Sequence, residues 1–286
     1  MAEDLASAYA VLRPTADACA EAWRVLVTAE REQVERLPNR PRPEDFYGPV
    51  ADAFRADPRR TDEPHLDRLL ELVRPAETWI DVGAGGGRYT LPIALHARRV
   101  IAAEPSQGMR QALSASAAEY GIENVEVIDE RWPCESKAPV ADVCFISQVG
   151  YDIAEFAAFS AEMEAHASRL CVAVMFARAP LADFGALWPL VHGIDRVQLP
   201  AIGEFATMLH ARGRTPSISL LSLPPRIYES RDHLHASSRR PLWVLEGTPE
   251  DARLADAVAK LAVEVPGGVT LNPGPRRLGI VTWEPT

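Results

Sequence analysis

The chain has 286 residues, 47% hydrophobic and 24% charged, an ordinary globular mixture long enough to bury a core without disulfides and to form two domains or one large α/β domain. Forty acidic against thirty basic residues leave a formal charge of −10, spread as −4 over residues 1–76, −5 over 77–228 and −1 over 229–286. No segment therefore offers the positive field that drives nonspecific binding to nucleic acid or to an anionic membrane, and the arginine doublets at 59–60, 98–99, 239–240 and 276–277 read as solvated surface.

Thr15 is placed to cap a first helix in which Trp23, Leu26, Val27, Val34 and Leu37 recur at helical spacing. The prolines at 38, 41 and 43 end it. A second helix is expected over residues 62–73, with Leu66, Leu69, Leu70 and Val73 on one face. After Pro75 short apolar strands alternate with helices: strands at 78–82, 99–103, 125–128, 143–147 and 170–176, with helices reaching 96 and 120 and another at 153–167. That alternation implies a parallel sheet covered on both faces. Further on, helices are expected near 201–212 and 249–263, and strands at 217–223 and 278–283, with a Gly/Pro-rich loop at 266–275.

Cys19, Cys134, Cys144 and Cys171 form no CxxC pair and no metal-ligand spacing, so no metal site is expected; Cys144 and Cys171 lie in apolar runs and read as buried free thiols. The amino terminus lacks the basic and apolar regions of a signal peptide, and no run approaches the ~20 apolar residues of a membrane span. A cytoplasmic location is the expectation.

The chemistry resides in Trp79-Ile-Asp81-Val-Gly83-Ala84-Gly85-Gly-Gly87-Arg88-Tyr89, a glycine-rich turn between a strand and a helix. Glycine lets the backbone turn sharply and approach a ligand, which also meets the free N–H groups of the helix start. A dinucleotide fingerprint, GxGxxG/A, is the first alternative. Here its third small residue would be Arg88, too large for close helix–strand packing, and Asp81 would set a carboxylate beside a pyrophosphate. Both features weaken a nicotinamide dehydrogenase and suit a ligand with a cationic amino group and no phosphate.

The segment resembles the first motif of the class I S-adenosylmethionine-dependent methyltransferases, (Asp/Glu)-x-Gly-x-Gly-x-Gly, which Asp81-Val-Gly83-Ala84-Gly85-Gly-Gly87 matches at every defined position. A second match is the acid ending the next strand, Val100-Ile-Ala-Ala-Glu104-Pro105-Ser106, 21 residues after Gly83. The resemblance implies that Glu104 accepts hydrogen bonds from the ribose hydroxyls of the cofactor, and that Pro105 and Met109 help to line that end of the site. Asp129 or Glu130, ending Val125-Glu-Val-Ile-Asp129-Glu130, would stand near the adenine amino group, and Gln148, in Ser147-Gln148-Val-Gly-Tyr151-Asp152, would contact the cofactor from the strand that lines the methyl-transfer site. The implied fold is an α/β, Rossmann-like, doubly wound and mostly parallel seven-stranded sheet with helices on both faces. It would occupy residues 76–286, with an insertion at about 229–275 before the last strand and an N-terminal helical extension, 1–75, able to form a lid with it over the acceptor pocket.

The implied activity is in-line methyl transfer from S-adenosylmethionine, leaving S-adenosylhomocysteine, with an acceptor entering over the ends of strands four and five. Tyr151 and His192 are the candidate catalytic side chains, His192 as a general base with a pKa near working pH or as a packing loop histidine. The Asn/Asp-Pro-Pro-Tyr motif of nucleic-acid amine methylation is absent, Ser147-Gln-Val-Gly-Tyr151 standing in its place. That and the spread acidity favour a small-molecule acceptor over RNA or protein; a non-catalytic cofactor-binding module is the remaining alternative.

Overall fold

The computed structural model describes residues 14–38, 45, 48–134 and 139–285; the helix-ending prolines 41 and 43 lie outside them. Helix α1 (Ala16–Glu35) begins where expected, with the Thr15 side chain accepting the Ala18 N–H. A 3-10 segment, Gly48–Phe54, and helix α2 (Pro64–Leu70) precede the sheet. Strand β1 (Thr78–Val82), helix α3 (Thr90–Ala94), β2 (Arg99–Ala103), α4 (Gln107–Tyr120) and β3 (Val125–Ile128) form the first half. Strand β4 (Ala141–Ser147), α5 (Phe156–Ala165), β5 (Ala167–Phe176), α6 (Trp188–His192), α7 (Ile202–Ala211) and β6 (Ser217–Leu223) follow. Then come α8 (Arg231–Arg239), α9 (Pro249–Leu261), β7 (Val263–Val265), β8 (Gly268–Thr270) and β9 (Arg276–Trp283).

Seven strands make one sheet in the order β3-β2-β1-β4-β5-β9-β6, in which β9 alone runs against its neighbours; β7 and β8 form a separate hairpin. All five residues of β1 are buried, as a central strand covered on both faces requires. Successive side chains alternate between two cores. On one face Trp23 and Val27 of α1, Phe156 and Phe159 of α5 and Phe205 of α7 pack on Ile80, Ile101, Cys144 and Val281. On the other, Leu69 of α2 and Leu91 and Ile93 of α3 cover Trp79, Val100, Phe145 and Ile280. The stretch before β1 is therefore built into the sheet's own core.

A third cluster joins Trp188 and Val191 of α6, Leu234 of α8, Leu254 and Val258 of α9, and Val269 of β8. Four elements of this C-terminal region escape the sequence pattern. Helix α8 is polar almost throughout, burying Leu234 and Ser238, so it has no apolar stripe. Helix α6 spans little more than one turn, and β7 and β8 are three residues each, too short for alternation to register. Cys144 and Cys171 are buried free thiols facing each other across β4 and β5. Among the described residues no helix is long and apolar enough to cross a membrane.

Candidate active site

In an open α/β sheet, ligands lie outside the carboxyl ends of the strands, where the strand order reverses. Here that point lies between β1 and β4, at the glycine-rich turn. Gly83 has φ +73° and its N–H donates to Ala103 O at 2.8 Å, so the turn is tied to the end of β2. A Cβ at Gly83 would come within 2.6 Å of Val149 Cγ2, so only glycine lets the loop after β4 pack this closely. Gly85, φ +55°, is different: a Cβ there would meet nothing nearer than Met109 Sδ at 3.9 Å, which leaves that side of the backbone open to a ligand.

Glu104 closes the other side. Its carboxylate accepts the Gly85 N–H and the Ser106 N–H, each at 2.8 Å, and it is 6% exposed. Two oxygens carry about four acceptor positions, so lone pairs remain for hydroxyls of a ligand. Burial raises its pKa above the ordinary value, partly offset by those two N–H groups. Arg110 braces the same corner, donating to Glu104 O at 2.9 Å and to the exposed Asp129 carboxylate at 2.7 Å. Ser106 caps α4 through the Met109 N–H and donates to Asp45 at 2.7 Å; Asp45 also accepts the Gly48 N–H. The segment before β1 thus reaches the glycine-rich end of the sheet, where Phe54 packs on Gly86 and Gly48 on Gly108. Pro105 lies exposed between these anchors.

Asp81 is 2% exposed and accepts the Thr90 hydroxyl at 2.6 Å. Burial pushes its pKa up to about 7, the Thr90 hydrogen bond acting against this and the Glu104 charge with it. Ala84 is buried with Ala102 and Leu113, and Arg88 pairs with Glu63, which also holds Arg60 at 3.0 Å. Asp142 serves the base of the sheet, accepting the Thr78 N–H at 2.8 Å.

Beyond β4, Gln148 adopts φ +58°, unusual for a residue with a side chain. It is held by its N–H to Val174 O at 2.9 Å and by the Tyr151 hydroxyl, which donates to Gln148 Oε1 at 3.0 Å. The same hydroxyl accepts the Phe176 N–H at 2.6 Å, and burial pushes its pKa well up. Tyr151 thus ties the ends of β4 and β5 together at the glycine turn. His192 does not join this group. Its Nε2 bonds Leu242 O at 2.9 Å, its ring lies 4.4 Å from Trp188, and burial lowers its pKa. Thr90, Val149 and Asp45 belong to the site through packing and hydrogen bonds that no spacing announces. No group of three or more His, Cys, Asp or Glu side chains able to hold a metal ion occurs among the described residues.

Strand order, the single reversed strand and a glycine turn flanked by strand-end acids define the class I methyltransferase fold. Solved structures with this arrangement include the YcgJ protein of Bacillus subtilis, 15% identical over 77% of this chain and 98% of its own, with a TM-score of 0.55. A candidate methyltransferase from Bacillus halodurans is 13% identical over 78% and 100%, with a TM-score of 0.54. A coclaurine N-methyltransferase bound to N-methylheliamine and S-adenosylhomocysteine is 12% identical over 92% and 88%, with a TM-score of 0.50. At these identities the likeness is one of fold. No family model matches the sequence, and no curated protein sequence matches it.

Proposed function

We propose that the chain is an S-adenosylmethionine-dependent methyltransferase acting on a small molecule. The observation that carries this reading is the open side of Gly85 set against the Glu104 carboxylate, at the turn between β1 and β4. The residues fit such a cofactor: the backbone of Gly83, Ala84, Gly85 and Gly87 borders the methionine part and Asp81 offsets its amino charge. Glu104, with Pro105 and Met109, takes the ribose, and Asp129 or Glu130 the adenine edge. Bound there, the cofactor supplies an electrophilic methyl group on a sulfonium that departs as neutral S-adenosylhomocysteine.

The protein's own task is then positioning, which supplies much of the acceleration of an in-line displacement. Gln148, fixed by Tyr151, sets the wall beside the reacting atoms. We assign Tyr151 a positioning part, since its phenol is buried, stays protonated and has both hydrogen-bonding directions engaged. His192 serves packing in the C-terminal cluster. The diffuse acidity supports a small molecule over nucleic acid.

Calorimetry tests the reading. S-adenosylhomocysteine is expected to bind the wild-type chain with one site and nicotinamide adenine dinucleotide not to bind; the reverse result overturns it.

A further inference from the structure

A second charged cluster stands at the same end of the sheet, past β4. Arg178 follows β5, Arg226 follows β6, and Arg276 opens β9. Because β9 runs antiparallel, its first residues lie level with the last residues of its neighbours: Leu223 pairs with Arg276, Phe176 with Leu278, and the Ala177 N–H donates to Arg277 O at 2.8 Å. Arg276 donates to Pro224 O at 3.1 Å and its guanidinium lies 5.5 Å from the Phe176 ring. The exposed Arg226 guanidinium lies 5.5 Å from the Tyr228 ring and 6.0 Å from that of Phe184.

Among these three cations stands the carboxylate of Asp183, which feels all three and whose pKa burial nevertheless holds above the ordinary value. Glu63 and Arg276 both act on His65, but Glu63 is already held by Arg60 and Arg88. At the centre is Tyr228, 5% exposed, its phenol oxygen buried without a hydrogen-bond partner. Its backbone is fixed by two 2.8 Å hydrogen bonds to Val269, so the phenol is held in place. An orphaned buried donor is costly, by about 1–3 kcal/mol, and guanidinium groups on aromatic faces are arranged for planar or tetrahedral anions.

The cluster connects to the reaction centre. The Phe176 ring beneath Arg276 belongs to the residue whose N–H meets the Tyr151 hydroxyl, and that hydroxyl holds Gln148. Strands lie roughly 4.8 Å apart, so β9 stands about 10 Å and β6 about 15 Å from the end of β4.

We propose that Arg178, Arg226 and Arg276, with the Tyr228 phenol, form an anion subsite for the methyl acceptor. The acceptor then carries a carboxylate or phosphate on the order of 10–15 Å from its methylated atom, two to three strand spacings along the rim. Only the word acceptor rests on the methyltransferase reading; the anion site stands on its own geometry.

The test titrates benzoate, phenyl phosphate and neutral benzamide into wild-type protein saturated with S-adenosylhomocysteine. At least one anion is expected to bind ten times or more tighter than benzamide, and the stronger of the two identifies the headgroup. The double variant Arg226→Gln/Arg276→Gln is expected to lose this preference while binding S-adenosylhomocysteine as the wild type does. Tyr228→Phe, which removes one oxygen, is expected to weaken the anion at least threefold with a melting temperature equal to or above that of the wild type, since the orphaned donor is gone, so the proposal does not depend on the double variant folding. Equal binding of benzamide and both anions, or anion binding unaltered in Tyr228→Phe and in whichever arginine variant folds, overturns the subsite. Failure of S-adenosylhomocysteine to bind the wild type overturns the proposed function instead, and anion binding is then measured on the free protein.

Discussion

One edge of one sheet has two electrical characters. At the carboxyl ends of β1, β2 and β3 it carries carboxylates, Asp81, Glu104 and Asp129; past β5 and β6 and at the start of β9 it carries Arg178, Arg226 and Arg276. The formal charge of −10 conceals this polarity, because an average over 286 residues says nothing about a rim. The acidic end suits a cationic cofactor and the arginine end an anionic group, so the two ends would orient a pair of ligands whose reacting atoms meet between them, near Gln148.

The acidic end offers the largest expected effect. Glu104→Ala removes the acceptor proposed for two ligand hydroxyls and frees the Gly85 and Ser106 N–H groups. Charge-assisted hydrogen bonds contribute about 1.5–3 kcal/mol each, so affinity for S-adenosylhomocysteine is expected to fall by at least about 100-fold in calorimetry. Anion binding at the arginine end should not change; a joint loss would mean the two ends are one site.

Next come two glycines that separate space from fold. Gly85→Ala places a methyl where the protein has room, so it is expected to cost about 1 kcal/mol of stability from its positive φ yet weaken S-adenosylhomocysteine tenfold or more. Gly83→Ala drives a methyl against Val149 and should cost about 2–4 kcal/mol, read as a fall in melting temperature. Equal melting temperatures for the two variants would contradict this assignment.

The pH dependence of the acidic end has a definite sign. The Asp81 carboxyl has a pKa of about 7 in the folded chain against 3.8 in the unfolded one, so between those values the folded state holds the extra proton. Stability of the free protein therefore falls as pH rises through that window. Affinity for a cation needs the ionised form, so it should rise about tenfold from pH 6 to pH 8, with proton release on binding near pH 6.5. Asp81→Asn should abolish both slopes.

The two ends also differ in how far they were legible. The acidic end announces itself because its chemistry is local: strand, turn and helix start occupy Trp79 to Tyr89, and Glu104 returns at the next strand end after one helix. Strands β1, β2, β3 and β6 begin and end where alternation and composition place them. The arginine end is assembled from residues 178, 226 and 276, which only the reversed β9 brings level. In the sequence Arg276–Arg277 is an isolated doublet, indistinguishable from solvated surface. Tyr228, whose significance is an unpartnered oxygen, has no sequence signal at all. Likewise Tyr151 can be placed near the reaction from its position after β4, but its bonds to Gln148 and the Phe176 N–H depend on how β5 aligns beside it.

Tyr151 and His192 give the smallest effects, and they test where the boundary between the two ends lies. Tyr151→Phe leaves the Phe176 N–H without its acceptor and Gln148 Oε1 without its donor, which is expected to cost about 1–3 kcal/mol of stability. Turnover should fall through a looser Gln148, with the pH–rate profile keeping its shape, because a phenol raised by burial does not titrate in the working range. A lost ionisation in that profile, with stability intact, would make Tyr151 a base instead. His192→Asn should do less still. Its ring meets Leu242 O and Trp188 in the C-terminal cluster, and burial keeps it neutral by lowering its pKa, so kcat and KM are expected to stay within about twofold while the melting temperature drops slightly. A tenfold loss of kcat at unchanged stability would instead bring the C-terminal cluster into the acceptor site and move the arginine end closer to the chemistry.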